Sequence, residues 1–241
     1  MSVKLSRYRL IIATALIVIV IPITILYGIY FLNDRKYYFI SMLIITFTLV
    51  PFLLVFEKRA PQARELIVIA VLSAIAVAGR AAFFMLPQFK PVVAIVIIAG
   101  VSLGAEAGFL VGVLTGFVSN FFFGQGPWTP WQMFCFGIIG FIAGLLFKKG
   151  KLNRTKLSLC VYGGLATFFI YGGIINIGSL MMFTAEFSFE ALVATYISAI
   201  GFDLIHAVAT VFFLYILSQT MLEKLDRIKV KYGLIEREKY S

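Results

Sequence analysis

Apolar residues gather in eight stretches along the chain, at about 10–32, 38–56, 65–86, 91–104, 106–123, 131–147, 157–181 and 191–220, with short polar breaks between them. About 20 apolar residues cross a bilayer as a helix, so the pattern predicts a bundle of membrane helices. The first stretch is too long for a signal-peptide core and has no obvious small-residue cleavage site, so it reads as a retained helix. The stretch from 91 to 123 is interrupted only by Gly104 and Glu106. It is either one very long helix or two shorter ones turning near Ser102 to Ala105.

Charge decides between them. Seventeen of the 21 Lys and Arg lie in four segments, Lys4 to Arg9, Lys58 to Arg64, Lys148 to Lys156 and Lys224 to Lys239. Cytoplasmic loops collect basic residues. Two helices between 91 and 123 put all four segments on the cytoplasmic side; one helix would put Lys148 to Lys156 outside. The expectation is eight helices with both termini cytoplasmic. The external segments are then Asn33 to Tyr37, Pro87 to Lys90, Gly124 to Pro130 and Met182 to Glu190, with only Arg35, Lys36 and Lys90 basic. Leu222 to Ser241 mixes Leu225, Ile228, Val230 and Leu234 with many charges, and either prolongs the last helix or lies on the inner surface.

Composition sharpens this. At 61% hydrophobic and a mean hydropathy of +1.01, a chain of this size cannot hide its apolar surface in water. The net charge of +10 reports topology and contact with anionic lipid; no basic soluble domain is present to bind nucleic acid. One His and two Cys are too few for a structural zinc site. Cys135 and Cys160 fall near opposite ends of neighbouring helices, which predicts two free thiols. Glu106, at the turn between two helices, favours a helix N-terminus.

Composition also shifts near residue 60. Residues 1–59 are aliphatic, with almost no polar side chains inside the helices. From Ala63 onward Gly and Ala become frequent and polar groups enter the helices. The organisation read from this is two N-terminal transmembrane helices (1–59), a six-helix core (60–222) and a basic cytoplasmic tail (223–241). Gly100, Gly104, Gly108, Gly112 and Gly116 recur every four residues, as do Ala70, Ala74, Ala78 and Ala82. Such stripes let another helix approach closely. For the alanines that is either packing within the chain or a docking surface for another subunit. An uncharged polar and aromatic loop follows the glycines, Gly124-Gln125-Gly126-Pro127-Trp128-Thr129-Pro130-Trp131-Gln132.

A six-helix core, an alanine stripe on its first helix after Ala63-Arg64, and an external aromatic loop together resemble the S component of an energy-coupling factor (ECF) vitamin transporter. The likeness covers residues 60–222 and is carried mostly from Ala63-Arg64-Glu65 through the Gly124–Gln132 loop to Gly144. Residues 1–59 depart from the usual six-helix plan. Among known specificities the chain looks most like the cobalamin-type S components. The resemblance implies a subunit that binds its vitamin at the outer side, associates with a transmembrane coupling subunit and two cytoplasmic ATPases, and topples in the bilayer to release the ligand. It also implies that Ala70, Ala74 and Ala78 contact the coupling subunit. The chain has no G-x-x-x-x-G-K-[ST] phosphate loop, so ATP drive by that chemistry falls to partners.

Intramembrane polar groups supply the candidate binding residues. Arg80 is costly inside a helix; it snorkels outward, pairs with Asp203, or meets a polar group on a ligand. Asp203 and His206 share one face of the last helix, as an internally satisfied pair or as a site. Asn120 and Asn176, near the outer ends of their helices, satisfy helix backbone or hold a ligand amide. Trp128 and Trp131 belong to an interfacial belt or to a lid with Gln132, stiffened by Pro127 and Pro130. Phe84 and Gln88 add a ring and a donor at the same surface. A large amphipathic micronutrient fits this set, and the many peripheral amides of cobalamin suit Asn and Gln. No catalytic residue, metal or cofactor is expected. Two alternatives remain: an intramembrane enzyme with Asp203 and His206 as acid and base, and a stand-alone secondary transporter, although no internal repeat is evident.

Overall fold

The computed structural model describes residues 11–12, 14–32, 39, 43–44, 46–47, 63–148, 150–183 and 188–232. Every regular element among them is a helix. Helix α1 (Ile21–Leu32) follows a π-helical turn (Leu16–Val20). Pro22 explains that turn: its ring and missing N–H disturb the preceding turn of helix. The Thr24 hydroxyl donates to the Val20 carbonyl at 2.8 Å. The second N-terminal stretch, 38–56, lies largely outside the described residues.

The core is six helices: α2 (Ala63–Ala82), α3 (Val92–Leu103), α4 (Ala105–Phe123), α5 (Trp128–Lys148), α6 (Lys156–Leu165, Ala166–Gly172 and Gly173–Phe183) and α7 (Phe189–Tyr232). The chain does turn between 91 and 123, and it turns on one residue. Gly104 has φ 109° and ψ 177°, a backbone state that disfavours any side chain. Its N–H bonds Gly100 O and its carbonyl accepts from Gly108 N, both at 2.9 Å. Glu106 lies in the first turn of α4.

Helix α3 occupies the middle. Residues 92–102 are all buried, packed by α2, α4, α5 and α7. A helix apolar on every side is explained by such burial. With 12 residues it is about 18 Å long, less than a hydrocarbon layer of about 30 Å. It therefore differs from the other five core helices, which are long and apolar enough to cross a membrane.

The glycine stripe is an internal seam. Gly104 belongs to the turn, Gly100 to α3, and Gly108, Gly112 and Gly116 to α4. A Cβ on Gly108 would lie 2.6 Å from both Gly100 Cα and Gly140 O, and one on Gly112 would lie 2.4 Å from the Phe136 carbonyl carbon. On the α5 side, a Cβ on Gly144 would meet Ala105 N at 2.3 Å. Three backbones touch here, with no room for side chains. A second apolar cluster lies beside it, where Ile17, Ile21 and Ile25 pack with Phe109, Trp131 and Phe141. Helix α1 thus lies on the flank of the core that α5 presents.

Helix α6 widens into a π-helix over Ala166–Gly172, a form often found at functional sites. Helix α7 continues without a break to Tyr232, so the basic segment after Leu222 prolongs the last helix up to that residue. Its end is tied down: Lys229 Nζ donates to Ser102 O at 2.8 Å and pairs with Asp226 at 2.7 Å, while Arg154 reaches Asp226 at 3.1 Å. We call this the basic end of the bundle. Both cysteines are free and buried.

Candidate substrate site

The alternating direction of the helices puts the end of α2, the start of α3, the α4–α5 loop and the end of α6 together at the pole opposite the basic end. A polar chain crosses the bundle there. Arg80, in the last turn of α2, donates from Nη1 to Ser119 Oγ at 2.5 Å and to Asn120 Oδ1 at 2.8 Å. Asn120 is fully buried. Its Nδ2 donates to Thr129 Oγ1 at 3.1 Å and to Gln132 Oε1 at 2.9 Å. Gln132 donates onward to the Tyr171 hydroxyl at 3.3 Å. One asparagine on α4 therefore links α2 to α5, and through Gln132 to α6. Buried polar groups are retained at low cost only when paired in this way.

The α4–α5 loop is built around the same hub. The Thr129 hydroxyl donates to Gln125 Oε1 at 2.8 Å, and Gln125 Nε2 donates to the Phe117 carbonyl at 3.0 Å. Gly126 N donates to Thr129 Oγ1 at 3.2 Å.

A second polar group lies on α6 and α7. Asn176 Nδ2 donates to Asp203 Oδ2 at 2.8 Å. Gly172 makes the space, since a Cβ there would lie 2.8 Å from the carboxylate. Tyr196, two turns before Asp203 on the same face of α7, donates to Gly173 O at 2.6 Å. His206 is buried and meets the Tyr171 ring edge-on at 4.6 Å between centroids. Tyr171 therefore touches both groups, its hydroxyl accepting from Gln132 and its ring meeting His206. Lys90, in the loop before α3, donates to Leu86 O at 2.8 Å. Burial, and then the Arg80 charge, lower its ammonium below the ordinary lysine range.

Two of the three outcomes open for Arg80 are decided. It does not pair with Asp203, because Ser119 and Asn120 on the adjacent helix take its guanidinium while Asn176 takes the carboxylate. Nor is it simply snorkelled, being half-buried and bonded. Likewise Asp203 and His206 are not a mutually satisfied pair: one faces Asn176, the other Tyr171.

Capacity is left over. Both Arg80 bonds start at Nη1, so Nε and Nη2 have no protein acceptor among the described residues. Asp203 accepts on Oδ2, which leaves Oδ1 open. Neither group is a fully enclosed, unpartnered atom. A donor on Arg80 and an acceptor on Asp203 are therefore available to a small polar molecule.

The remaining candidates scatter. Phe84 is exposed and stacks on Phe123 at 5.2 Å, a ring that also lies 5.1 Å from the Arg80 guanidinium. Gln88 forms a tight turn with φ 56°, its neighbour Phe89 N bonding Pro87 O at 2.7 Å. Trp128 covers Gly126, whose Cβ would lie 2.4 Å from the indole. Trp131 is turned away from the polar chain. Its ring packs on Gly178 and lines a small apolar cavity of about 270 Å³ with Pro22, Ile25 and Leu26. Sequence reasoning did not single out Ser119, Thr129 or Tyr171. The signal for Tyr171 was slight, one phenol closing the run Phe168-Phe169-Ile170.

Ala70, Ala74 and Ala78 are exposed. They line an open groove of about 690 Å³ between α2 and α4, with Phe122 and Phe123 at one end. Among the described residues, no helix lies over these three.

The sequence resembles several known proteins. The chain is 27% identical over 168 residues to a UPF0397 protein of Vibrio atlanticus, covering 61% of this chain and 92% of that one. It is 34% identical over 103 residues to a UPF0397 protein of Aliivibrio fischeri strain MJ11, covering 41% and 55%. A third such protein, from Aliivibrio salmonicida, is 35% identical over 89 residues, 35% and 48% of the two chains. These last two matches span about half of the relatives' length. No solved structure matches the chain. The model of the ECF transporter substrate-specific component family matches residues 64–222, which are helices α2 to α7 up to Leu222. The chain belongs to the family of ECF transporter substrate-specific components.

Proposed function

We propose that this membrane subunit captures a vitamin at the outer pole and delivers it by docking, along Ala70, Ala74 and Ala78, to a coupling subunit driven by two cytoplasmic ATPases. The observation that carries the reading is the unused hydrogen-bonding capacity of Arg80 and Asp203 around Tyr171. The basic end faces the cytoplasm by the charge rule, with both termini on that side, so the Arg80–Asn120–Tyr171 chain faces outward. Cobalamin is the first ligand to test: its peripheral amides suit Gln132 and Asn176, and its acceptors suit Arg80, which the buried Asn120 holds in place. Gln88 and Trp128 stand at the rim, and Phe84 supplies a ring beside Arg80.

The test is uptake of radiolabelled cobalamin by cells that express this chain with the coupling and ATPase subunits, together with identification of whatever small molecule copurifies with the chain. Saturable uptake that needs all components is expected. An absence of saturable uptake would remove the cobalamin assignment, and a different copurifying vitamin would replace it.

Asn120→Leu probes the site itself. It strips Arg80, Thr129 and Gln132 of a common partner, and each stranded group costs about 1–3 kcal/mol. Ligand affinity is expected to fall about a hundredfold or more, measured by titration of purified protein, while Ala74→Ser leaves it unchanged. Equal affinities of Asn120→Leu and the parent would place the ligand elsewhere.

A further inference from the structure

Helix α2 is flanked by a second groove, next to the alanine face. It has a volume of about 690 Å³ and lies between α2 and the end of α7, with Ile67, Val71 and Ile75 on one wall and Arg64, Lys224 and Tyr232 toward its basic end. The three aliphatic residues are 59%, 50% and 44% exposed, an apolar surface that something must cover. From Arg64 to Ile75 the wall runs about 16 Å at 1.5 Å per residue. That is about half of a hydrocarbon core of about 30 Å, the depth of one leaflet.

The charges point to what covers it. Arg64 lies 5.3 Å over the Tyr232 ring and has no acidic partner among the described residues. Lys224 has none either. The nearby Asp226 is engaged by Arg154 and Lys229. Two cations without acids, at one end of a channel one leaflet deep, match an anionic headgroup with a single tail beneath it.

We propose that the α2–α7 groove holds one acyl chain of an anionic phospholipid from the leaflet at the basic end, with its phosphate on Arg64 and Lys224. This site is independent of the substrate at the other pole.

Native mass spectrometry of the detergent-purified full chain, titrated with phosphatidylglycerol or phosphatidylcholine, tests it. One phosphatidylglycerol is expected to bind in preference to phosphatidylcholine. The double variant Arg64→Gln, Lys224→Gln is expected to weaken that binding about thirtyfold, the effect of two surface cations. Lys151→Gln with Arg227→Gln removes the same charge elsewhere at that end and leaves binding intact. Val71→Trp keeps both cations, fills the channel, and also lowers retention. Equal binding of the two lipids, or phosphatidylglycerol binding untouched by the Arg64 and Lys224 changes, overturns the proposal. If those variants hold lipid normally but no longer copurify with a coupling subunit, the groove is a protein interface and the lipid site falls.

Discussion

Replacing Gly140 with leucine is expected to leave almost no monodisperse protein after detergent extraction. The reason is the three-backbone seam. A Cβ at Gly140 would lie 2.4 Å from Gly108 O, 2.7 Å from the Gly108 carbonyl carbon and 2.8 Å from Val96 Cγ1. Two of these neighbours are main chain and cannot rotate away. Overpacking usually costs about 1–3 kcal/mol because side chains move aside; here α4 or α3 must move as a whole, breaking the seam along its length. The loss approaches the total stability of a typical domain, about 5–15 kcal/mol. Gly201→Ala is the control: nothing lies within 4 Å of its Cβ, so a gain of up to about 1 kcal/mol in helix propensity is expected. Size-exclusion profiles and thermal melts of the two variants measure the contrast. A folded Gly140→Leu protein with a normal melting temperature would mean that the seam is looser than drawn.

The second large effect is on assembly. Ala74→Trp is expected to abolish copurification with the coupling subunit while ligand binding stays within about twofold of the parent. Ala74 is exposed in the open α2–α4 groove, so among the described residues an indole there has room. It does hold off any helix that needs main-chain proximity. A penalty of about 3 kcal/mol, the upper range for overpacking, is a factor above a hundred in association. The readout is a pull-down from cells expressing all subunits, set beside a ligand titration of the isolated chain. Loss of both properties would indicate misfolding; loss of neither would free the alanine face of the docking role.

These two experiments separate stripes that look alike in the sequence. Both repeat small residues every four positions, and nothing in the spacing says which side of a helix will meet protein and which will meet lipid or a partner. Only the packing order of α3, α4 and α5 turns the glycines inward and leaves Ala70, Ala74 and Ala78 outside. The helical class, the six core helices and the turn near Gly104 were legible, because they follow from stretch length and from the placement of lysine and arginine. The polar site was half legible. Arg80, Asn120, Gln132, Asn176 and Asp203 stand out as costly groups in apolar segments. Their partners did not: which residue Arg80 reaches depends on α2 lying against α4, and a lone Tyr171 among phenylalanines carries no such cost. Trp131 is ambiguous for the same reason, since an indole in an outer turn fits a lid and a helix contact equally well.

The length of α7 has a mechanical consequence. Forty-four residues make a rod of about 66 Å, more than twice the hydrocarbon thickness. Its last turns, from Glu223 to Tyr232, are bolted to the bundle by Lys229 and Asp226, so they swing with it as one body. If delivery tips the subunit in the bilayer, as the proposed function implies, this charged outrigger sweeps toward the bilayer surface. Each cation forced below the headgroups would cost about 2.5 kcal/mol or more at full depth, so such a rod would bound the angle through which the subunit could roll.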